Sequence, residues 1–231
     1  MISLAVFLGN PGAQYARNRH NAGRLLAEKL SFFDDSCWKK KFRGRFGSLT
    51  KEKMLGVKAP ESSNCYFLVP ETYMNLSGLS VKAAAVFHSI SPCSIIVVHD
   101  ELELPLGYLS LKFGGGLGGH NGLRSIKNAL GTADFWRLRI GIDRPPGRLP
   151  GEGGRPVKGA HEGGDGVIAQ WVLSNFNPSE AECVENVLEE GASLLTKALS
   201  EEPEALLPEW KKKKVSHPAG SFLFSKQPDN L

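Results

Sequence analysis

Cysteine is scarce and unpatterned: Cys37, Cys65, Cys93 and Cys183 are the four in 231 residues, with no Cys-x-x-Cys pair and no histidine at ligand spacing. That excludes a disulfide framework and a thiolate zinc site, and it fits a reducing compartment. No apolar run reaches the length of a membrane span, and Ile2 already begins the first predicted strand. Neither an anchor nor a leader is expected, and the expected location is the cytoplasm. Charge of one sign is also lacking, since 28 Lys and Arg against 24 Asp and Glu leave a formal +4. A protein that coats nucleic acid is excluded; one that meets a polyanion through a local patch is not.

What is present is a globular balance, 41% hydrophobic and 23% charged, enough for one substantial core. One domain is expected over residues 1–214, with a tail over 215–231. Residues 2–8 read as a buried strand, and residues 9–23 connect it to an amphipathic helix with Ala22, Leu25, Leu26, Leu30 and Phe33 on one face. Connections at the carboxyl ends of strands in open α/β sheets are where ligands bind. Asn21 is placed to cap this helix, and beside it stands His20, whose residue type titrates near neutral pH. A lone loop histidine is most often merely solvated, and periodicity does not decide the matter.

Residues 42–50, 53–59 and 66–69 read as an antiparallel meander, the last two separated by a turn over 60–64. Ser77 then precedes a helix expected over 78–88, with Leu79, Ala83, Val86 and Phe87 as its apolar side. The apolar run at 94–99 predicts another central strand, with Asp100 at its carboxyl end. Next, Leu109, Leu111 and Phe113 alternate with Tyr108, Ser110 and Lys112, which turns Lys112 away from the core. The glycine-rich stretch 114–122 opens a helix carrying Leu123, Ile126 and Leu130, and so offers free backbone N–H groups to an anion or a ligand. It lacks the Gly-Lys-Ser/Thr of a Walker loop, and the polar strand before it does not suit a dinucleotide fold. A flexible linker is the plainer reading, against which His120-Asn121 argues.

A strand over 136–142 places Arg137 and Arg139 on its polar face. Residues 145–164, with four Pro and seven Gly in twenty positions, read as a loop. Asn177-Pro178-Ser179-Glu180 is a strong helix start, for a helix running to about Ser200. Two basic blocks, one with Lys39, Lys40, Lys41, Arg43 and Arg45 and one at 211–214, each read as solvated surface or as an anion contact.

Several separated stretches together resemble the bacterial-type peptidyl-tRNA hydrolase family: Gly9-Asn10-Pro11-Gly12 with Tyr15, Arg19-His20-Asn21, Tyr73-Met74-Asn75-Leu76-Ser77-Gly78, His99-Asp100-Glu101-Leu102, residues 114–122, and Arg137-Leu138-Arg139-Ile140-Gly141-Ile142. Any one is weak, whereas six in order are specific. The resemblance implies a single α/β domain with a twisted, mostly parallel mixed sheet flanked by helices. It implies hydrolysis of the ester between a peptide and the 3′ ribose of tRNA, which returns tRNA from stalled translation. His20, Asp100 and Asn10 match the catalytic positions. Tyr15, Tyr73, Asn75 and Asn121 match substrate-binding positions, and Lys112 and Arg139 match a clamp on the tRNA 5′ phosphate. No metal and no cofactor is implied; the expected species is a monomer whose partners are peptidyl-tRNA and tRNA.

The chemistry suits these residue types. A neutral imidazole takes a proton from water as the carbonyl is attacked, and a carboxylate holds its tautomer. No Ser or Cys stands at a recognisable nucleophile position, so direct attack by water is expected. Three departures from the family pattern stand out: Asn18 in place of Thr, the longer loop at 145–164, and the tail at 215–231. Two rival readings use the same residues, a non-catalytic RNA-binding scaffold and an esterase or amidase indifferent to RNA.

Overall fold

A computed structural model of the chain describes residues 1–31, 38–55, 64–145 and 164–215. Among these, eight strands form one mixed sheet: β1 (Leu4–Phe7), β2 (Lys39–Lys41), β3 (Gly44–Thr50), β4 (Asn64–Pro70), β5 (Ile95–Glu101), β6 (Tyr108–Phe113), β7 (Trp136–Gly141) and β8 (Lys213–Lys214). Their order is β2-β3-β4-β1-β5-β7-β6-β8. The four central strands β4, β1, β5 and β7 run parallel, and the pairings outside them are antiparallel on both flanks. β1 and β5 are buried along their whole length, which is why they read as unbroken apolar runs.

Helices cover both faces. α1 (Ala22–Ala27), α6 (Ala181–Ser200) and α7 (Pro203–Trp210) lie on one side, where Leu26, Leu195, Leu199 and Trp210 share a core with Phe7, Val98, Leu138 and Ile140. On the other side α3 (Ser77–Phe87) and α4 (Asn121–Leu130) bring Val81, Ala84, Leu123 and Ile126 onto Leu4, Val6, Ile95 and Val97. Two further helices, α2 (Lys51–Leu55) and α5 (Gly164–Val172), lie among the described residues. At the start of α6, the Asn177 and Glu180 side chains form the capping box that the sequence announces.

Several expectations are corrected. Residues 51–55 are helical, so the segment expected as a strand over 53–59 begins in a helix that buries Met54 in the core. Residues 56–63, with most of the expected turn, lie outside the described residues. α1 ends at Ala27, and Leu30 reaches the core from the turn after it, while Phe33 lies outside the described residues. On α3 the expected apolar side is largely the exposed one: Leu79, Val86 and Phe87 are exposed, and the buried face is Ser77, Gly78, Ser80, Val81, Ala84 and Ala85. The reason is close helix packing, since a Cβ on Gly78 would lie 2.1 Å from the Ser125 carbonyl oxygen of α4. On β6, Phe113 is 41% exposed, whereas Ser110 is buried, its hydroxyl donating to the Lys211 carbonyl at the sheet edge. The basic block at 211–214 supplies β8, a short lysine strand of the kind that blunts an edge. Residues 146–163 and 216–231, the bulk of the expected loop and tail, lie outside the described residues.

Candidate active site

The carboxyl ends of β1, β4 and β5 converge on one cleft of about 1010 Å³. Its first element is the loop after β1. Asn10 N donates to Asn21 Oδ1 at 2.8 Å, and Asn21 Nδ2 donates back to Asn10 O at 3.0 Å. Asn21 therefore staples this loop instead of capping α1, where it makes no side-chain cap bond. Met74 N, from the turn after β4, donates to Asn10 Oδ1 at 2.8 Å. Because that oxygen accepts from a backbone N–H, the amide is oriented, and Nδ2 is the group Asn10 offers to the cleft it lines.

His20 sits in a single helical turn, Arg19–Asn21, between the loop and α1. Its Nδ1 lies 2.9 and 3.0 Å from the two oxygens of Asp100, at the end of β5. A carboxylate accepts only, so Nδ1–H donates and the neutral ring keeps its lone pair on Nε2, facing the cleft. Burial disfavours the imidazolium, but the charge and hydrogen bond of Asp100 outweigh it and raise the pKa of His20 above 6.5. Burial likewise pushes Asp100 up, and the two flanking imidazoles reverse this and hold it far below the usual carboxylate range.

The second imidazole is His120, which the sequence marked only as a reason to doubt a spacer. Its Nδ1 caps α4 by accepting from Gly122 N and Leu123 N at 3.1 and 3.4 Å, so its Nε2–H donates to Asp100 Oδ1 at 3.1 Å. One carboxylate thus fixes two rings, whose centroids stand 4.9 Å apart. His99 donates from Nδ1 to the Asp100 carbonyl at 2.7 Å. Burial first, then His120, keeps it uncharged. The donor atoms of His20, Asp100 and His120 lie within 4.8 Å of one another, so these three are the described residues that could share a cation. As they stand, both protons point into the carboxylate, and a cation would have to displace them.

Arg19 holds this constellation in place. Its buried guanidinium donates to Ser174 Oγ at 3.1 Å, to the Asn175 carbonyl, and to both oxygens of Glu180 at 2.9 and 2.6 Å, and it lies 4.0 Å over Trp171. Asn18 bridges to Asn175 in the same contact. The segment leading from α5 to α6 is thereby tied to the His20 turn, and α5 contributes Ile168, Ala169 and Val172 to the cleft wall.

Of the other expected residues, Tyr73, Asn75 and Asn121 line the cleft, Tyr73 being 59% exposed. Asn121 Oδ1 accepts from the Arg124 guanidinium. Tyr15 lies half-buried in the turn Ala13–Tyr15 and is not among the lining residues. Lys112 and Arg139 stand to one side, on the sheet face beneath the glycine-rich loop. Arg139 donates to Glu101 Oε2 at 2.9 Å and to Ser110 Oγ at 3.3 Å, and Glu101 in turn reaches the cleft. Arg137, expected on the polar face of its strand, is buried and donates to the carbonyls of Gly114 and Gly116. Lys112 pairs with it across β6 and β7, and burial, then Arg137 and Arg139, lower its pKa. Cations gathered in this way favour an anion among them.

A mixed sheet with a polar cleft at the carboxyl edge of its parallel strands, and a carboxylate-held imidazole in that cleft, defines the class: an α/β enzyme. The sequence model of the peptidyl-tRNA hydrolase family matches residues 4–218. The chain is 45% identical over 217 residues to the peptidyl-tRNA hydrolase of Treponema pallidum (strain Nichols), covering 93% of this chain and 96% of that protein. It is 40% identical over 195 residues to that of Desulfitobacterium hafniense (strain Y51), covering 84% and 91%. The crystal structure of peptidyl-tRNA hydrolase from Acinetobacter baumannii superposes with a TM-score of 0.71 at 32% identity, covering 91% of this chain and 94% of that one. The chain belongs to the peptidyl-tRNA hydrolase family.

Proposed function

We propose that this chain hydrolyses the ester between a peptide and the 3′ ribose of tRNA, and that it does so with water activated by His20. The observation that carries the mechanism is the grip of Asp100 on His20 Nδ1, which leaves Nε2 as a base open to the cleft. Water attacks the ester carbonyl carbon as its proton passes to Nε2. Asp100, ionised, stabilises the imidazolium that forms. The carbonyl oxygen takes up the negative charge, and Asn10 Nδ2 is the fixed donor that faces it. Collapse breaks the bond to the ribose oxygen, which receives the proton from His20, giving a free 3′ hydroxyl and a peptide carboxylic acid that ionises by releasing its proton to solvent.

Asn75 and Asn121 supply amides at the cleft mouth that suit a peptide backbone, so binding depends little on peptide sequence. Lys112 and Arg139 are the residues proposed for the terminal phosphate, where a guanidinium and an ammonium act together. His120 donates from Nε2 to the same carboxylate and so helps to hold Asp100 in place beside His20. The protein works as a monomer in the cytoplasm, returning tRNA from stalled translation; among the described residues no helix is long and apolar enough to cross a membrane.

The test compares turnover of an N-blocked aminoacyl-tRNA with that of the same amino acid as an RNA-free ester. Strong preference for the tRNA is expected. Equal efficiency would make the chain an esterase indifferent to RNA, and tight binding of tRNA without cleavage would make it a binding scaffold.

A further inference from the structure

The basic block at the start of the sheet is not absorbed by the site. β2 and β3 form a hairpin whose tip, Phe42-Arg43, has φ of 55° and 56°, the left-handed region that residues other than glycine rarely occupy. Both tip carbonyls are held: Ser80 Oγ of α3 donates to Phe42 O, and Glu71 N donates to Arg43 O at 2.9 Å. The Phe42 ring is locked among Phe46, Phe87 and His88, with centroids 4.9, 5.4 and 5.8 Å away. Lys41 Nζ lies 3.8 Å over the exposed Phe87 ring.

This anchoring fixes where the charges sit. Lys39, Lys40, Lys41 and Arg43 are exposed, and among the described residues none of the four forms an ion pair. Lys40, Lys41 and Arg43 rim a recess of about 360 Å³ in which Glu71 is the one acid. A two-residue hairpin tip asks for left-handed φ at both positions. The Ser80 and Glu71 hydrogen bonds with the ring cluster hold two non-glycine residues there, so the basic side chains stand on a fixed platform.

The register gives the direction. Gly44 pairs with Pro70 at the carboxyl end of β4, and the chain from Pro70 leads directly to Tyr73 and Asn75 of the cleft. The hairpin tip is therefore at the same end of the sheet as His20 and Asp100. β2 is three strands from β1, about 14 Å, and lies on the flank opposite Lys112 and Arg139; β2 and β6 are six strand spacings apart, about 29 Å. A ligand touching both flanks is a long polyanion.

We propose that the β2–β3 hairpin is a second phosphate-backbone contact for the RNA body of the substrate, made by Lys40, Lys41 and Arg43 on the flank of the cleft opposite Lys112 and Arg139. The inference rests on the RNA substrate proposed above. The contact positions RNA without reading its sequence, and it adds nothing to cleavage of a substrate too short to reach it.

The test is the triple variant Lys40→Gln, Lys41→Gln, Arg43→Gln against wild type, using N-blocked aminoacyl-tRNA and a short 3′-terminal oligonucleotide carrying the same ester. Weaker tRNA affinity is expected, with the slope of log affinity against log salt shallower by about two to three, and unchanged turnover of the short substrate shows that the fold is intact. The charge-keeping variant Lys40→Arg, Lys41→Arg, Arg43→Lys is expected to restore the slope. A wild-type slope in the triple variant, or equal losses on both substrates, overturns the hairpin contact while leaving the proposed function standing. Failure of the wild type itself to cleave aminoacyl-tRNA overturns the function and this inference with it.

Discussion

Replacing Asp100 with Asn separates the two things the carboxylate does for His20. In the native site burial opposes the imidazolium, and Asp100 more than reverses that, so His20 titrates above 6.5. His20 serves as a base only when neutral, so activity is lost as pH falls through this raised pKa. In Asp100→Asn the burial remains and the counter-charge is gone, so the pKa falls below 6.5. Unit charges about 4 Å apart interact by about 4 kcal/mol at an effective dielectric near 20, equivalent to about three pK units, which bounds the shift. The acidic limb of the rate profile is expected to move down by about one to three units. The rate itself falls by about 10²–10⁴, because the amide no longer stabilises the imidazolium and can present its N–H₂ to Nδ1. Single-turnover cleavage of N-blocked aminoacyl-tRNA over about pH 5–9 reads both quantities. The same raised pKa adds stability that is complete below about 6.5 and lost as pH rises through the folded value, so the variant also loses stability on the acid side of neutrality. An unmoved acidic limb in Asp100→Asn would refute the assignment of that limb to His20.

Three further substitutions probe the supports of the site. Arg19→Met leaves the Glu180 carboxylate and the Asn175 carbonyl without their partner and is expected to cost about 3 kcal/mol in urea unfolding; a loss below about 1 kcal/mol would class the pair with surface ion pairs. Asn10→Asp keeps an acceptor for Met74 N but removes the Nδ2 donor, so kcat should fall about 10²–10³ with little change in KM, whereas a wild-type kcat would remove Asn10 from the oxyanion role. Gly78→Ala drives a Cβ to within 2.1 Å of the Ser125 carbonyl oxygen, and the resulting strain of about 1–3 kcal/mol should lower Tm despite the better helix propensity of Ala; an unchanged Tm would mean that α3 and α4 are not in close register.

The central strands were legible because burial on both faces leaves unbroken apolar runs, as in β1 and β5. The capping box at Asn177 was legible because its signal is local. What the pattern misread depends on tertiary contact. α3 packs through Ser77, Gly78, Ser80 and Ala84, small residues that let two helices approach, so hydrophobicity points to the wrong face. Residues 51–55 carry no strong periodicity, and Met54 joins the core from a helix. Asn21 looks like a cap from its position and acts as a staple because Asn10 lies across from it.

The site divides in the same way. His20, Asn10, Asn75, Tyr73, Asp100 and Asn121 were named through motifs that resemble the family's, and all six line the cleft. His120 was overlooked as a partner because its contact to Asp100 crosses from the start of α4 to the end of β5, a relation no local spacing encodes. Arg19 has the same character, since Ser174 and Glu180 are distant in sequence. Tyr15, named by the family resemblance alone, lies outside the lining.

Single-turnover cleavage of N-blocked aminoacyl-tRNA by wild type and His20→Ala, with tRNA affinity and the unfolding midpoint measured on both, tests the central claim most directly. The account predicts that the variant folds and binds tRNA as wild type does and loses cleavage by about 10²–10⁴. Cleavage by His20→Ala at the wild-type rate would contradict it and remove His20 as the base.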